Sequence, residues 1–223
     1  AELLKMVQTI RSHHPRMSAR KMLHKLQFPL KEKGISIGRD RFLNLLARHD
    51  LLVPPLRHQR RTTWPGQWRC PNRLDGLAVT CVQQVWVCDI TYLETEQGFC
   101  YLALITDAFS RCIVGYDVCT TLAVEGARRA LDMAIAQAWL PLTGLIHHSD
   151  HGVQYTCHAY RDRLAAVGIL SSMGEVGYCY DNPQAERLNG ILKMEYGLGE
   201  LLLNTLHAQS ATAEAIWLYN YDR

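Results

Sequence analysis

The sequence lacks the features of membrane-spanning, secreted and zinc-stabilised proteins. None of its apolar segments reaches the roughly 18 residues that a membrane span requires, and its first residues form an amphipathic helical pattern instead of a signal peptide. It has eight cysteines but no Cys-x-x-Cys pair, which argues against a structural zinc site. Internal repeats and low-complexity tracts are also missing. We therefore expect a cytoplasmic, globular protein with reduced, mostly buried thiols and no membrane contact.

Acidic residues are scarce in the first third of the chain. Residues 1–75 contain 16 Lys and Arg but only 5 Asp and Glu, a net charge of +11, whereas residues 76–223 contain 8 and 16, a net charge of −8. This asymmetry indicates a nucleic-acid-binding front joined to a unit of another kind. Two solvated surfaces of opposite sign that attract each other would have the same composition, so charge alone leaves both interpretations open.

Three short helical patterns fill the front of the chain, at about residues 2–12, 18–27 and 37–49. Ser18 and Ser36 are the expected N-caps of the second and third. The turn before the third pattern, and the early position of Arg39 and Arg41 in it, fit a helix-turn-helix, whose recognition helix reads DNA with its N-terminal residues. An ordinary three-helix bundle with a basic surface fits equally well. We predict a small all-α domain over residues 1–52.

Prolines and arginines mark residues 53–80 as a linker. Prolines favour an extended segment, and the basic run RHQRR (57–61) suits contacts with phosphates. A merely soluble tether would look similar. Because the run lies between a candidate DNA reader and a candidate catalytic unit, we predict that Arg57, Arg60 and Arg61 bind DNA.

From residue 85 the pattern changes to alternating strands and helices. Strand-like runs lie at 85–94, 99–108, 111–119 and 169–173, and a further short strand ends near residue 149. Helical runs lie at 123–138, 155–167, 181–196 and 206–221. The order β-β-β-α-β-α-β-α is the ribonuclease-H-like arrangement. We therefore predict an α/β (α+β) fold over residues 81–223, with a mixed five-stranded sheet flanked by helices.

Three carboxylates lie where that fold places acids. Asp89 interrupts an apolar strand-like run, Asp150 follows a short strand and Glu186 opens a helical run, with 60 and then 35 residues between them. An acid is costly to bury unless it is paired or metal-bound, although a strand residue turned to solvent would also satisfy the alternation at Asp89. If the three converge, their oxygens suit two Mg²⁺ or Mn²⁺ ions, which can support in-line phosphoryl displacement.

Histidines surround the second acid, and a lysine follows the third. His147 and His148 suggest a zinc-binding site. Adjacent side chains on a strand point to opposite faces, however, and cannot easily bind the same ion. Lys193 lies seven residues after Glu186, about two helical turns, so it shares a face with that acid. It can reach a DNA phosphate from there, while a solvated surface lysine is the alternative.

Four segments together resemble the catalytic core of bacterial insertion-sequence transposases, whose core is like that of retroviral integrase. The segments are WVCDITYL (86–93), YLALITDAFSRCIVGY (101–116), IHHSDHGVQY (146–155) and SMGEVGYCYDNPQAERLNGILKMEY (172–196). The 35-residue gap before the glutamate is the signature of that family. The front of the chain resembles the helix-turn-helix segment that precedes this core, so the resemblance covers nearly the whole sequence.

This resemblance implies that Asp89, Asp150 and Glu186 are catalytic acids that bind two Mg²⁺ (or Mn²⁺) ions. The implied activity is DNA transposition, in which metal-dependent cleavage frees a 3′-hydroxyl that then attacks another phosphodiester, without a covalent protein–DNA intermediate. Asn182 and Lys193 are implied to position DNA. The implied partners are double-stranded DNA, both element ends and target, and further copies of the chain in a homo-oligomer.

Two departures from the family pattern bear on activity. The family continues beyond the last helix, whereas this chain stops at YNYDR (219–223), and the upstream reading-frame product, another implied partner, is missing. We therefore expect a fragment with a truncated C-terminal tail. Two alternatives stay open: a catalytically inactive DNA-binding remnant, and a ribonuclease-H-like nuclease acting on RNA–DNA hybrids, which the spacing of the acids disfavours.

Overall fold

The front of the chain folds as a bundle of three helices. The computed structural model describes residues 2–53, 66–174 and 183–222. Its first helices are α1 (Glu2–His13), α2 (Ala19–Glu32) and α3 (Arg39–Arg48). Their apolar faces meet in a core of their own, which includes Val7, Met22, Leu26, Phe42 and Leu46. The predicted all-α front is therefore present, with α3 in the place of the predicted recognition helix.

The second helix is longer than predicted. Ser18 caps it as expected, since its side chain accepts a hydrogen bond from the N–H of Lys21. The predicted end at Gln27 is wrong, because α2 continues through Pro29 to Glu32. A proline inside a helix removes one hydrogen bond, but Leu30 is buried in the bundle core and keeps the last turn in place.

The third helix begins later than predicted. Its N-cap is Gly38, which makes no side-chain capping bond, and its first residue is Arg39. The N–H of Phe42 donates to the carbonyl of Gly38 at 3.0 Å, which is the first hydrogen bond of the helix. The prediction of Ser36 as the cap is therefore wrong: the hydroxyl had the right chemistry, but the helix starts beyond its reach.

The rest of the chain is built on one mixed sheet. Its strands are β1 (Val85–Thr95), β2 (Gly98–Asp107), β3 (Ile113–Cys119), β4 (Ile146–Ser149) and β5 (Leu170–Met173). They lie in the order β3-β2-β1-β4-β5. The first three form an antiparallel meander, and β4 and β5 run parallel to β1. This confirms the predicted ribonuclease-H-like sheet.

Helices cover both faces of the sheet, and strand alternation decides what each face buries. Ala103 and Ile105 of β2 pack on one face with α4 (Val124–Gln137) and α6 (His158–Ala166). Leu102 and Leu104 pack on the other face with α7 (Pro183–Glu195) and α8 (Thr205–Tyr221). The sheet is thus the middle layer of a three-layer unit, which we call the core unit.

The helix predicted over residues 155–167 is two helices. A short helix, α5 (Val153–Thr156), ends before Cys157, whose extended backbone (φ −71°, ψ 153°) breaks the pattern ahead of α6. The prediction of one continuous helix is therefore wrong, although Gly168 ends α6 as expected. Its φ of +75° lies in the left-handed region that favours glycine.

The second half of the predicted linker lies against the sheet. The N–H of Gly66 donates to the carbonyl of His151 (2.7 Å), and the N–H of Arg73 donates to Oγ of Ser172 (2.8 Å). Apolar side chains of the segment, those of Leu74, Leu77 and Val79, pack with the start of β1 and the start of α7. Residues 66–79 therefore pack with the core unit, while residues 54–65 lie outside the described residues.

The seven cysteines of the described portion are all free, with Cys88 and Cys100 buried and Cys81 exposed. No helix of that portion is both long and apolar enough to cross a membrane.

Candidate active site

Asp89 lies in the middle of β1, on the sheet face that α7 covers. Its neighbours Cys88 and Ile90 pack on the opposite face, as strand alternation requires. The carboxylate accepts a hydrogen bond at Oδ1 from the N–H of Ile90 (2.9 Å) and another at Oδ2 from Nδ2 of Asn189 (2.6 Å). Asp89 is therefore half-buried between the sheet and α7.

Asp150 directly follows β4, which runs parallel to β1. The last paired residues of these two strands are Val87 and His148, two positions before each acid. After burial, the negative charge of Asp150 is the largest cause of the raised pKa of Asp89, so the two carboxylates lie near each other. The N–H of Gly152 donates to Oδ1 of Asp150 (2.9 Å) and orients that carboxylate.

Glu186 lies in the first turn of α7, where the helix dipole favours a negative charge. Its side chain is exposed, yet its charge reaches Asp89. The pKa of Asp89 is raised to about 7, mainly by burial, then by the negative charge of Asp150, and less by that of Glu186; the hydrogen bonds to Asp89 oppose the rise. The negative charges of Asp150 and Glu186, which come from other parts of the fold, thus both act on the carboxylate of Asp89.

The chemistry of this cluster fits a divalent cation. Carboxylate oxygens are the ligands that Mg²⁺ and Mn²⁺ prefer, and a bound cation would offset the repulsion that raises the pKa of Asp89. The geometry is less complete: within residues 2–53, 66–174 and 183–222, no three His, Cys, Asp or Glu side chains are arranged to hold one ion. The catalytic and metal-binding roles of the three acids therefore stay predictions.

Lys193 lies two turns beyond Glu186 on α7. Its Nζ is 4.1 Å from the centroid of the Tyr92 ring, a cation–π contact. Burial lowers the pKa of Lys193 to about 8, and the charge of Asp89 partly opposes this. The side chain is thus a half-buried cation beside the acids and not a fully solvated surface lysine, while its contact with DNA stays a prediction.

Two residues of the site were not singled out in the sequence analysis. Asn189 is 8% exposed and donates to Asp89, and Tyr92 contacts Lys193. Asn189 lies three residues after Glu186 and four before Lys193, so helical spacing placed it on the same face and could have identified it. Tyr92 offered no comparable spacing.

The two histidines before the second acid contact different partners. Nε2 of His147 lies 2.8 Å from Sγ of Cys88 and 2.8 Å from the hydroxyl of Tyr160, and burial lowers the pKa of His147 to about 3. Nδ1 of His148 lies 2.9 Å from Oγ of Ser172. The rings therefore diverge, as strand alternation predicts, and a zinc ion shared between them is not possible. His147 is a neutral, hydrogen-bonded residue of the sheet core.

The predicted DNA contacts are only partly within the described residues. Arg39 and Arg41 lie exposed in the first turn of α3, and Arg39 pairs with Asp40 at 2.9 Å. Both arginine side chains are accessible to a ligand on the surface of the bundle. The other predicted contacts lie outside the described residues, namely Arg57, Arg60, Arg61 and Asn182.

Known proteins share both sequence and fold with this chain. The sequence signature of the family described as Integrase core domain matches residues 79–179. An insertion element IS600 protein of 31 kDa from Shigella sonnei is 40% identical over 174 residues, 77% of this chain and 64% of that protein. The transposase for insertion sequence element IS629 of Shigella sonnei is 39% identical over 140 residues, which are 63% of this chain and 47% of that protein. The transposase InsF for insertion sequence IS3A of Escherichia coli K12 is 37% identical over 117 residues, 52% of this chain and 40% of that protein. The chain thus spans less than two thirds of the length of the curated relatives it matches.

Two solved structures share the fold. The HTLV-2 integrase catalytic core domain in complex with magnesium (dimeric form) has a TM-score of 0.51 and 20% identity, and the match covers 64% of this chain and 89% of that one. A simian T-cell lymphotropic virus intasome in complex with the PP2A regulatory subunit B56 gamma has a TM-score of 0.53 and 19% identity, covering 92% and 69%. At these identities the likeness shows the integrase-like fold alone.

Proposed function

We propose that the protein is the DNA-cutting and DNA-joining part of an insertion-sequence transposase, because residues 79–179 match the sequence signature described as Integrase core domain. The proposed reaction is metal-dependent hydrolysis of a DNA strand at the end of the element, which frees a 3′-hydroxyl. That hydroxyl then attacks a target phosphodiester, which joins the two strands and releases the 3′-hydroxyl of the target strand. Similarity to two proteins named as transposases supports this reaction. Because the chain spans only part of those relatives, the proposal concerns the chemical steps and not a whole transposition cycle.

The observation that carries the proposal is the electrostatic coupling of three acids from different parts of the fold. Asp89 comes from β1, Asp150 follows β4 and Glu186 comes from α7. Burial is the main cause that raises the pKa of Asp89 to about 7, and the negative charges of Asp150 and, less strongly, Glu186 add to the rise. Gathering like charges beside a half-buried carboxyl destabilises a folded protein, so such clusters are typical of functional sites.

We infer that Asp89, Asp150 and Glu186 would hold two Mg²⁺ or Mn²⁺ ions. When bound there, the ions supply Lewis acidity, which lowers the pKa of water and neutralises charge on the phosphate. The protein's own groups hold the ligands in place. A backbone N–H and the amide of Asn189 orient the two oxygens of Asp89, and a second backbone N–H orients Asp150. No side-chain nucleophile takes part, so no covalent protein–DNA intermediate forms.

The same proposal assigns the DNA contacts. Lys193 supplies a positive charge to the phosphate beside the acids. The exposed first turn of α3 contacts the bases at the end of the element, and basic residues of the linker contact the phosphates of the DNA backbone. The residues assigned to these contacts are Arg39, Arg41, Arg57, Arg60, Arg61 and Asn182. The working unit is a homo-oligomer that holds two element ends and the target, joined in the cell by the upstream reading-frame product.

The test is cleavage and joining of a duplex that ends in the terminal inverted repeat flanking the gene. With Mg²⁺ the wild-type chain should nick the repeat and join it to a plasmid, and EDTA should stop both reactions. Asp89→Asn should lower the cleavage rate by at least about 100-fold, because an amide is a poorer ligand for a hard cation. Its affinity for the duplex should stay within about twofold of wild type. Asp162→Asn, which removes an exposed acid of α6, is the matched control.

Other outcomes favour other functions. If Asp89→Asn cuts as fast as wild type, the assignment of the acids is wrong. If the wild-type chain binds the repeat but never cuts it, the protein is an inactive DNA-binding remnant. Degradation of the RNA strand of an RNA–DNA hybrid, without joining of DNA, would identify a ribonuclease-H-like nuclease.

A further inference from the structure

The C-terminus of α7 receives hydrogen bonds from two separate parts of the chain. A helix leaves its last four backbone carbonyls without partners inside the helix, and α7 ends at Glu195. The carbonyls of Leu192 and Lys193 accept hydrogen bonds from the N–H groups of Leu198 and Gly199, at 3.3 and 3.1 Å. These donors belong to the turn that follows α7, so local structure satisfies two of the four carbonyls.

Arg16, in the loop between α1 and α2, satisfies the other two. Its backbone N–H donates to the carbonyl of Glu195 (2.7 Å), and its Nε donates to the carbonyl of Met194 (3.0 Å). Its Nη1 donates to Oε1 of Glu200 at 2.9 Å, and the side chain is only 11% exposed. A cation at the C-terminus of a helix also interacts favourably with the helix dipole. The bundle thus caps a helix of the core unit.

Further contacts between basic and acidic side chains surround this cap. Lys21 of α2 lies 2.5 Å from Glu195, and Lys25 lies 3.0 Å from Asp222. The fully buried ring of His14 lies 2.7 Å from the same Asp222 carboxylate, and burial lowers the pKa of His14, so this contact is a hydrogen bond of a neutral ring. In these pairs the bundle supplies the basic groups and the core unit supplies the acids. The composition left open whether the basic front and the acidic remainder of the chain attract each other. These contacts show such an attraction between the bundle and the core unit, and it accounts for part of the charge asymmetry along the chain.

Helix α7 is the element that this contact can influence most. It carries Glu186 and Lys193 of the proposed site but is only 13 residues long, and helices of about that length are marginal unless caps and packing support them. We propose that Arg16 is a positioning residue: by capping α7 from the bundle, it holds the helix, and with it Glu186 and Lys193, in place for DNA cleavage. The catalytic part of this proposal rests on the proposed function, whereas the capping does not.

The capping is tested in the free, full-length protein by hydrogen exchange. Arg16→Ala removes the guanidinium but keeps the backbone N–H, and amides 191–195 at the end of α7 should then exchange about tenfold faster, because a hydrogen bond to a charged donor is lost. Arg16→Lys keeps a charge near the helix dipole without the Nε bond and should have an intermediate effect. Arg20→Ala, on the exposed surface of α2, is the control and should change nothing there.

The positioning is tested by steady-state cleavage of the terminal-repeat duplex, at a temperature where all variants are folded by circular dichroism. Arg16→Ala should lower kcat about tenfold and leave KM for DNA unchanged, and Arg16→Lys should recover part of the rate. A purely structural role would lower the melting temperature without this split between kcat and KM.

Several results would overturn the proposal. If Arg16→Ala matches Arg20→Ala in exchange, Arg16 does not cap α7. If exchange accelerates but kcat is unchanged, or if KM rises while kcat stays constant, Arg16 is not a positioning residue for cleavage. If the wild-type chain cuts no DNA, the proposed function fails, and the exchange comparison still decides whether Arg16 caps the helix.

Discussion

Replacing Asp89 by Asn should stabilise the cation-free protein at alkaline pH. The pKa of Asp89 is raised from an ordinary value of 3.8 to about 7, first by burial and then by the negative charge of Asp150. Between these two values the folded protein keeps a proton that the unfolded chain has lost. Stability therefore falls as pH rises from about 4 to about 7, since the folded state binds more protons.

The magnitude follows from the size of this shift. One pKa unit corresponds to about 1.4 kcal/mol, so a rise of about three units destabilises the folded protein by about 4 kcal/mol at pH 8. Water that reaches the half-buried carboxyl reduces this, so we expect about 2 to 4 kcal/mol. The substitution replaces the charged carboxylate by a neutral amide. The buried Oδ1 of Asn189 has no hydrogen-bond partner among the described residues. A flip of the Asn189 amide would therefore let this oxygen accept a hydrogen bond from the new NH₂ group at position 89.

The assay is urea unfolding at several pH values in EDTA, followed by circular dichroism. The difference in unfolding free energy between Asp89→Asn and wild type should widen by about 2 to 3 kcal/mol from pH 5 to pH 8. Adding Mg²⁺ at pH 8 should stabilise wild type more than the variant. Asp162→Asn should show no such pH dependence. A difference that stays constant from pH 5 to pH 8 would refute the reasoning, because the carboxyl would then have an ordinary pKa in the folded state.

Three other changes test the remaining parts of the site. The pKa of Lys193 is lowered to about 8, so DNA cleavage should decline above pH 8 as the side chain loses its charge, whereas Lys193→Arg should keep its rate to about pH 9.5 in a pH–rate profile. Asn189→Leu should raise the Mg²⁺ concentration for half-maximal cleavage about tenfold, because it removes the hydrogen bond that orients Asp89; an unchanged Mg²⁺ titration would contradict this role. Arg41→Ala should weaken DNA binding and reduce the slope of log K against log salt by about 1, while Arg128→Ala on α4 should not.

Much of the fold could be predicted because its signals are local. The strand-like run at 85–94 matches β1 to within one residue, since alternating apolar residues bury one sheet face at a time. Gly168 ends α6 because its position requires a positive φ. The break at Cys157 was missed; the extended backbone of this residue separates α5 from α6.

The placement of the acids was predicted in part. The spacing of Asp89, Asp150 and Glu186 follows the resemblance to transposases, and the structure places them on β1, after β4 and in the first turn of α7. Their electrostatic coupling was not readable from spacing, because it depends on the parallel register between β1 and β4 and on α7 lying over the same sheet face. Their role as metal ligands stays a prediction.

Local patterns along the chain were thus enough to identify most of the helices and strands, because each depends on residues within a few positions of one another. The candidate acids came instead from their spacing and from the resemblance to transposases. The partners of those residues came from packing over long distances. Asn189 meets Asp89 across 100 positions, and Arg16 meets Met194 across 178. Hydrogen bonds of this kind depend on how α7 and the bundle lie against the sheet, and that arrangement follows from the burial of whole apolar faces.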